Sequence, residues 1–221
     1  MRFIQRFLAV LSISFIAFGA NAAPNNPQNG VDYRTLEKQQ QTESGKKVEV
    51  TEFFWYSCPH CNALEHDLVA WVKKQGDNIV FKRVPVAFRD SMVPQQKLFY
   101  TLEAMGKFDE LHQKVFNAIH VEKRRVDTDA EILDFVTKNG IDKQKFLDVY
   151  NSFGVQSKAK RATQLMQAYQ VDGVPLLAVD GRYLTSPSIV SASVGNKPEP
   201  ILHQATFQVL DWLVNKAKQG K

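Results

Sequence analysis

From Lys47 to Tyr56 the chain alternates at period two. Val48, Val50, Glu52 and Phe54 share one face, and Glu49, Thr51, Phe53 and Trp55 share the other. The pattern predicts a strand that becomes apolar on both faces towards its end, as a central strand does. The period then changes. Cys61, Leu64, Leu68, Trp71 and Val72 form the stripe of an amphipathic helix. That helix starts at Ser57 or Cys58, with Pro59 in the first turn, where a missing N–H costs little, and it stops at Gly76. Ile79 to Phe88, rich in valine and phenylalanine, predicts the next strand, with Pro85 near its end. Upstream, residues 23–30 form an irregular arm, Tyr33, Arg34 and Leu36 begin a short strand, and Gln39 to Gly45 is polar and turn-like.

From Pro94 to Gln170 the spacing is helical throughout. Leu98, Phe99, Leu102 and Met105 mark one helix, closed by Gly106; Phe108, Leu111, Val115, Phe116 and Ile119 mark a second. A third, capped by Asp127 or Thr128, carries Ile132, Leu133 and Phe135 to a stop at Gly140. A fourth starts at Asp142 and ends near Gly154, and a fifth carries Ala162, Leu165, Met166 and Tyr169. Strand patterning returns at Val174 to Val179, turns at Asp180-Gly181 and continues over Arg182 to Thr185. Gly195 to Pro200 reads as a turn region, and Ile201 to Lys218 as a closing helix.

The order is strand, helix, strand, helical block, hairpin, helix. That is the plan of an α/β, thioredoxin-like fold with an inserted all-helical domain. The expected division is residues 23–45 as arm and first strand, 46–89 and 171–221 as the two parts of the thioredoxin-like domain, and 90–170 as the insertion.

Composition changes the picture little. Hydrophobic content of 44% suffices for a core that needs no disulfide staples. The first residues matter more. Arg2 and Arg6 precede an apolar stretch from Phe7 to Phe18, and Ala20-Asn21-Ala22 is a small-x-small cleavage signal. Residues 1–22 therefore read as a signal peptide, rather than an uncleaved membrane anchor, that exports the chain to a compartment where disulfides persist. Without Arg2 and Arg6 the 28 bases fall to 26 against 23 acids, too weak a bias to argue for nucleic acid. Lys123-Arg124-Arg125 reads as a solvated loop.

The chain has two cysteines, Cys58 and Cys61. A lone C-x-x-C is either a redox couple or half of a metal site. A structural zinc site needs four ligands. His66, five residues after Cys61, lies about 140° around the helix from it, and His112, His120 and His203 fall in remote helical segments, so the spacing favours redox chemistry with no metal. Cys61 belongs to the buried stripe, whereas Cys58 falls at the exposed helix start. There, unpaired N–H groups and the positive end of the helix dipole stabilise a thiolate, and His60 adds positive charge or a hydrogen bond. Stabilising the thiolate stabilises the reduced form, at about 30 mV per 1.4 kcal/mol for a two-electron couple. Glu52, an acid on an apolar strand face, is open to two readings: an edge acid reaching water, or a group with a function at the cysteines.

The stretch from Glu52 to Cys61, Glu-Phe-Phe-Trp-Tyr-Ser-Cys-Pro-His-Cys, resembles the active site of the DsbA family of periplasmic dithiol oxidases. Gly173-Val174-Pro175 resembles that family's cis-proline loop. The resemblance covers essentially the whole mature chain. It implies that Cys58 is the nucleophile and Cys61 its buried partner. His60, with Pro59, tunes the thiolate, and Glu52 lies beneath the site and takes part in proton transfer. Glu65 matches an acidic position after the motif, although as a helix-surface acid it is also readable as solvated. Val174 and Pro175 match the segment that pairs with substrate peptide. Lys82 and Arg83 are both candidates for the base beside Glu52.

The implied activity is oxidation of reduced, unfolded exported proteins, with reoxidation by a DsbB-type quinone-linked membrane partner and no cofactor. A disulfide isomerase or reductase is the alternative enzyme, and a metal-handling or peptide-binding module the alternative outside enzymes. Related isomerases carry an N-terminal dimerisation domain. Residues 23–46 are too short for one, which predicts a monomer.

Overall fold

The computed structural model describes residues 26–220. The expected signal peptide and the first residues of the arm lie outside the described residues. Five strands form one mixed sheet: β1 (Arg34–Thr35), β2 (Val48–Phe54), β3 (Ile79–Pro85), β4 (Leu176–Val179) and β5 (Tyr183–Thr185). Their order is β1-β5-β4-β2-β3. β2 pairs in parallel with β3 and antiparallel with β4. Every residue of β2 is buried, as expected of a central strand. The parallel register sets Glu52 directly beside Arg83.

Eight helices surround the sheet among the described residues. α1 (Pro59–Gln75) links β2 to β3 as the crossover of the parallel pair. The helical block comprises α2 (Val93–Ala104), α3 (Phe108–His120), α4 (Asp129–Lys138), α5 (Lys143–Tyr150) and α6 (Phe153–Ala168). α7 (Pro187–Val194) and α8 (Glu199–Gln219) follow the β4–β5 hairpin. Side-chain caps define several starts. Thr128 and Glu131 form a capping box on α4, Asp142 caps α5 and Ser152 caps α6.

The sheet separates two cores. On one face Phe53, Leu176, Ala178 and Leu184 join Leu98, Phe99, Leu111, Phe116 and Phe135 of the helical block. The insertion therefore shares its core with the sheet. On the other face Val48, Val50, Leu177 and Val179 pack against Leu64, Leu68 and Trp71 of α1 and Val209, Leu210 and Leu213 of α8. Alternation along β2 and β4 produces this division.

Several boundaries differ from the sequence expectation. Gly154 lies in the first turn of α6, because Ser152 supplies the cap one residue before that helix begins. The supposed turn at 195–200 is shorter, because Pro200 occupies the first turn of α8, where its missing N–H is harmless. α7 was not anticipated. Ser186 caps it, Pro187 opens it and Gly195 stops it at φ 81°, but its small side chains leave only Val190 buried, so no apolar stripe announces it.

Candidate active site

The strand β2 ends at Phe54, and four residues later the chain enters α1 through Cys58. Cys58 is the N-cap, with extended backbone, and its Sγ accepts a hydrogen bond from the Cys61 amide at 3.4 Å. Pro59 takes the first helical position. Both cysteines are free thiols.

Cys58 is less open than its place at a helix start suggested. It is only 6% exposed, and Cys61 is fully buried. The cover comes from the loop before β4, where the Val174–Pro175 bond is cis. The Cys58 thiol donates to the Val174 carbonyl at 3.4 Å. Val174 and Pro175 also line a groove of about 740 Å³ with His60, Ile189, Glu199 and Leu202.

The two sulfurs have opposite acidities. The hydrogen bond from Cys61, aided by the backbone N–H groups of Cys61 and His60 and by the charge of His60, lowers the Cys58 pKa from 9.0 to about 6. Burial, with the neighbouring Cys58 sulfur and Glu52 carboxylate, pushes Cys61 well above the ordinary thiol value. His60 is itself held by Glu199 in the first turn of α8, Nδ1 to Oε1 at 2.5 Å. That hydrogen bond raises the imidazole's affinity for a proton.

Beneath the cysteines lies a buried charge cluster. Arg83 donates from Nε to Glu52 at 2.9 Å and from Nη2 to both Glu65 oxygens at 2.7 and 2.9 Å. This removes the solvated reading of Glu65, whose side chain is 4% exposed. Although α1 carries Glu65 next to Leu64, the helix packs it inward over β3, where Arg83 awaits it. The edge-acid reading of Glu52 also fails, since its side chain is 1% exposed. Arg83, not Lys82, is its basic partner. Lys82 lies on the other face of β3 and pairs with Glu43 and Glu49. Burial raises the Glu52 pKa to about 7, against the pull of Arg83 and with repulsion from Glu65. Burial opposes ionisation of Glu65 too, but His112 and Arg83 outweigh it and hold Glu65 below the usual carboxylate value.

Two of the histidines that looked remote, His112 and His120, are also at the site. Tyr56 OH lies 2.8 Å from His112 Nδ1, and His120 Nε2 donates to the Tyr56 carbonyl at 2.8 Å. Gln95 donates to Ser57 Oγ at 2.7 Å. The helical block thus grips the turn before Cys58 at three points. No sequence spacing connects these residues to the cysteines. Only the polarity of His112 within an otherwise apolar helical stripe marks it out. His66 is exposed beside Asp67, as its helical angle implied, and His203 is buried against Asp67.

A thioredoxin-fold sheet interrupted by helices, with a C-x-x-C pair at the start of the helix after its central strand, defines a thiol:disulfide oxidoreductase. Comparison with known proteins narrows the class. Residues 49–206 match the family described as the DSBA-like thioredoxin domain. The chain is 43% identical to the thiol:disulfide interchange protein DsbA of Burkholderia cepacia, over 96% of each chain. It is 35% identical to the protein of the same name from Pseudomonas aeruginosa, over 91% of this chain and 90% of that one. The crystal structure of Pseudomonas aeruginosa DsbA superposes with a TM-score of 0.77 at 34% identity, covering 86% of this chain and 94% of the other. The chain belongs to the DsbA family.

Proposed function

We propose that the protein oxidises thiol pairs in reduced, unfolded exported proteins by donating a Cys58–Cys61 disulfide. A substrate thiolate attacks Sγ of Cys58. The enzyme S–S bond breaks, a mixed disulfide forms, and Cys61 departs with an electron pair and takes up a proton. The substrate's second thiolate then attacks the substrate sulfur of the mixed disulfide. Cys58 leaves as a thiolate, the substrate leaves oxidised, and the enzyme holds the two electrons. The observation that carries this reading is the opposed acidity of the pair. Cys58, at about 6, is the better leaving group, and Cys61, held far above it, retains a proton.

The other residues take roles around that exchange. His60 and Pro59 tune the Cys58 thiolate. Glu52, which holds its proton to about pH 7, supplies that proton to Cys61, and Glu65 shares its arginine. The Val174 carbonyl, 3.4 Å from Cys58 Sγ, and Pro175 present a backbone edge and a groove to an extended peptide. The enzyme works as a periplasmic monomer after removal of residues 1–22. It is reoxidised by a DsbB-type membrane partner that passes the electrons to quinone, and it uses no cofactor.

A redox titration against glutathione, followed by the fluorescence of Trp55 beside the site, tests the reading. We expect a strongly oxidising couple. A potential close to that of thioredoxin would overturn the oxidase reading.

A further inference from the structure

Two carboxyls share one arginine beneath the cysteines, and the side chain that makes them unequal comes from the helical block. His112 is 5% exposed. Its ring lies over Phe108, with centroids 4.4 Å apart, and is walled by Phe54, Phe99 and Phe116. Its Nδ1 meets Tyr56 OH at 2.8 Å. Its Nε2 has no hydrogen-bond partner among the described residues and lies 3.5 Å from Glu65 Oε1.

The tautomer follows from those neighbours. A bare Nε2 would set a lone pair against a carboxylate in an apolar pocket. A protonated Nε2 sets a donor against it and leaves Nδ1 to accept from the Tyr56 hydroxyl. The charged and titratable groups that bear on this ring are Glu65 from α1, Arg83 from β3, Tyr56 after β2 and Asp109 on its own helix. Glu103 of α2 acts on Tyr56.

With His112 neutral, the cluster carries two potential anions and one cation. One proton makes it neutral, and either carboxyl can hold that proton. Glu65 has two hydrogen bonds from Arg83, and His112 Nε2 lies 3.5 Å away. Glu52 has one hydrogen bond from Arg83, and its Oε1 has no partner among the described residues. We propose that His112 is a positioning residue that keeps Glu65 ionised and thereby places the shared proton on Glu52, next to the cysteines. The inference rests on the reading of Glu52 as proton donor to Cys61. It gives the helical block a chemical task at the redox site, because α3 supplies the group that breaks the symmetry. Pairs of acids with different environments divide acid and base roles in this way.

The test is a pH titration of the isotope-labelled glutamate carboxyl resonances by NMR. A carboxyl titrating near neutrality is expected in the wild type and absent in Glu52→Gln; in Glu65→Gln, which removes the second anion and leaves Arg83 to Glu52 alone, its midpoint falls. In His112→Leu the Glu65 carboxyl gains a share of the proton, and the Glu52 midpoint falls by about one pH unit, the scale of a lost neighbouring donor. His112→Gln, whose amide can donate to Glu65, restores most of the shift. A Glu52 midpoint unmoved in His112→Leu, or lowered equally in His112→Gln, would overturn the proposal. If His112→Leu does not fold, nitrogen NMR of the wild-type histidines decides. An Nε2–H tautomer of His112 supports the proposal and an Nδ1–H tautomer refutes it. The readout locates the proton without turnover. An inactive oxidase with its proton on Glu52 would sink the functional reading alone, and an active one with its proton on Glu65 would sink this one alone.

Discussion

At the scale of single residues, the site is a contest over where charge resides. Cys58 ionises readily because the Cys61 side chain and the backbone amides of Cys61 and His60 hydrogen-bond its sulfur, with the charge of His60 adding to them. His60→Ser removes the positive side chain and leaves the backbone donors, so the Cys58 titration should move up part of the way towards an ordinary thiol. Thiolate absorbance against pH measures this, and an identical midpoint in both proteins would clear His60 of the role. The same acidity fixes a pH dependence. The folded Cys58 pKa, about 6, lies below its unfolded value of 9.0. Between those values the unfolded reduced chain binds more protons than the folded one. The reduced protein should therefore gain stability as pH rises through that window, and lose it as pH falls towards 6. Glu52 has the opposite sign: raised from 4.5 to about 7, its contribution is present at low pH and lost as pH climbs. Glu52 is present in both redox forms, so most of its contribution cancels in the difference in stability between reduced and oxidised protein, and the Cys58 contribution dominates what remains. Denaturation of both forms across the window should show that difference growing with pH. A flat difference would mean that Cys58 is not acidic in the fold.

At the scale of elements, most of the fold was legible, and the failures have identifiable causes. The strand into the cysteines, its helix, the five helices of the insertion and the hairpin all carry strong periodicity, because each buries one clear face. α7 buries a single residue, Val190, and left no stripe. The site was legible where its residues are neighbours in sequence, from Glu52 to Cys61. Glu65 was ambiguous, since helical spacing alone does not say that β3 will bring an arginine over it. His112, His120 and Gln95 were illegible as site residues, because only the packing of α2 and α3 onto the sheet brings them to Tyr56 and Ser57. The hairpin supports a prediction of its own. Gly181 has φ +67°, and a Cβ there would lie 2.1 Å from the carbonyl oxygen of Gln40, whose amide donates to the Gly181 carbonyl. Gly181→Ala must strain the turn or release the segment leading from β1, at a cost of about 1–3 kcal/mol. Chemical denaturation measures it, and a loss below the experimental error would show that the turn rearranges freely.

At the scale of the whole molecule, the helix that carries the redox pair contributes to both cores. Cys58 and Cys61 belong to the core shared with the helical block, while Leu64 and Leu68 of the same helix belong to the other. Both thiols lie in one core, so their asymmetry is local: Cys58 caps α1 and Cys61 is fully buried one turn on. Cys61→Ala leaves the acidic thiol without the partner that releases it, so mixed disulfides should accumulate on Cys58. Cys58→Ala leaves a buried, protonated thiol and should trap little. Non-reducing electrophoresis of each variant, alkylated on recovery from an exporting cell, compares them. Equal adduct levels would remove the asymmetry.

The ends of the sheet bear on the company this protein keeps. The proposed substrates are unfolded chains, which offer long runs of unpaired backbone, and any free strand edge is a template for them. β1 is two residues long. β3, the other edge, is seven residues long but carries Lys82 on one face, Arg83 drawn inward on the other, and Pro85 at its end, with no N–H to offer. Inward charge, lysine and proline are the devices that keep sheet edges from growing. Arg83 therefore serves twice. The guanidinium shared by two acids also blocks the longer of the two sheet edges, so that, on the proposed function, the sheet offers little template to the unfolded chains the enzyme would oxidise.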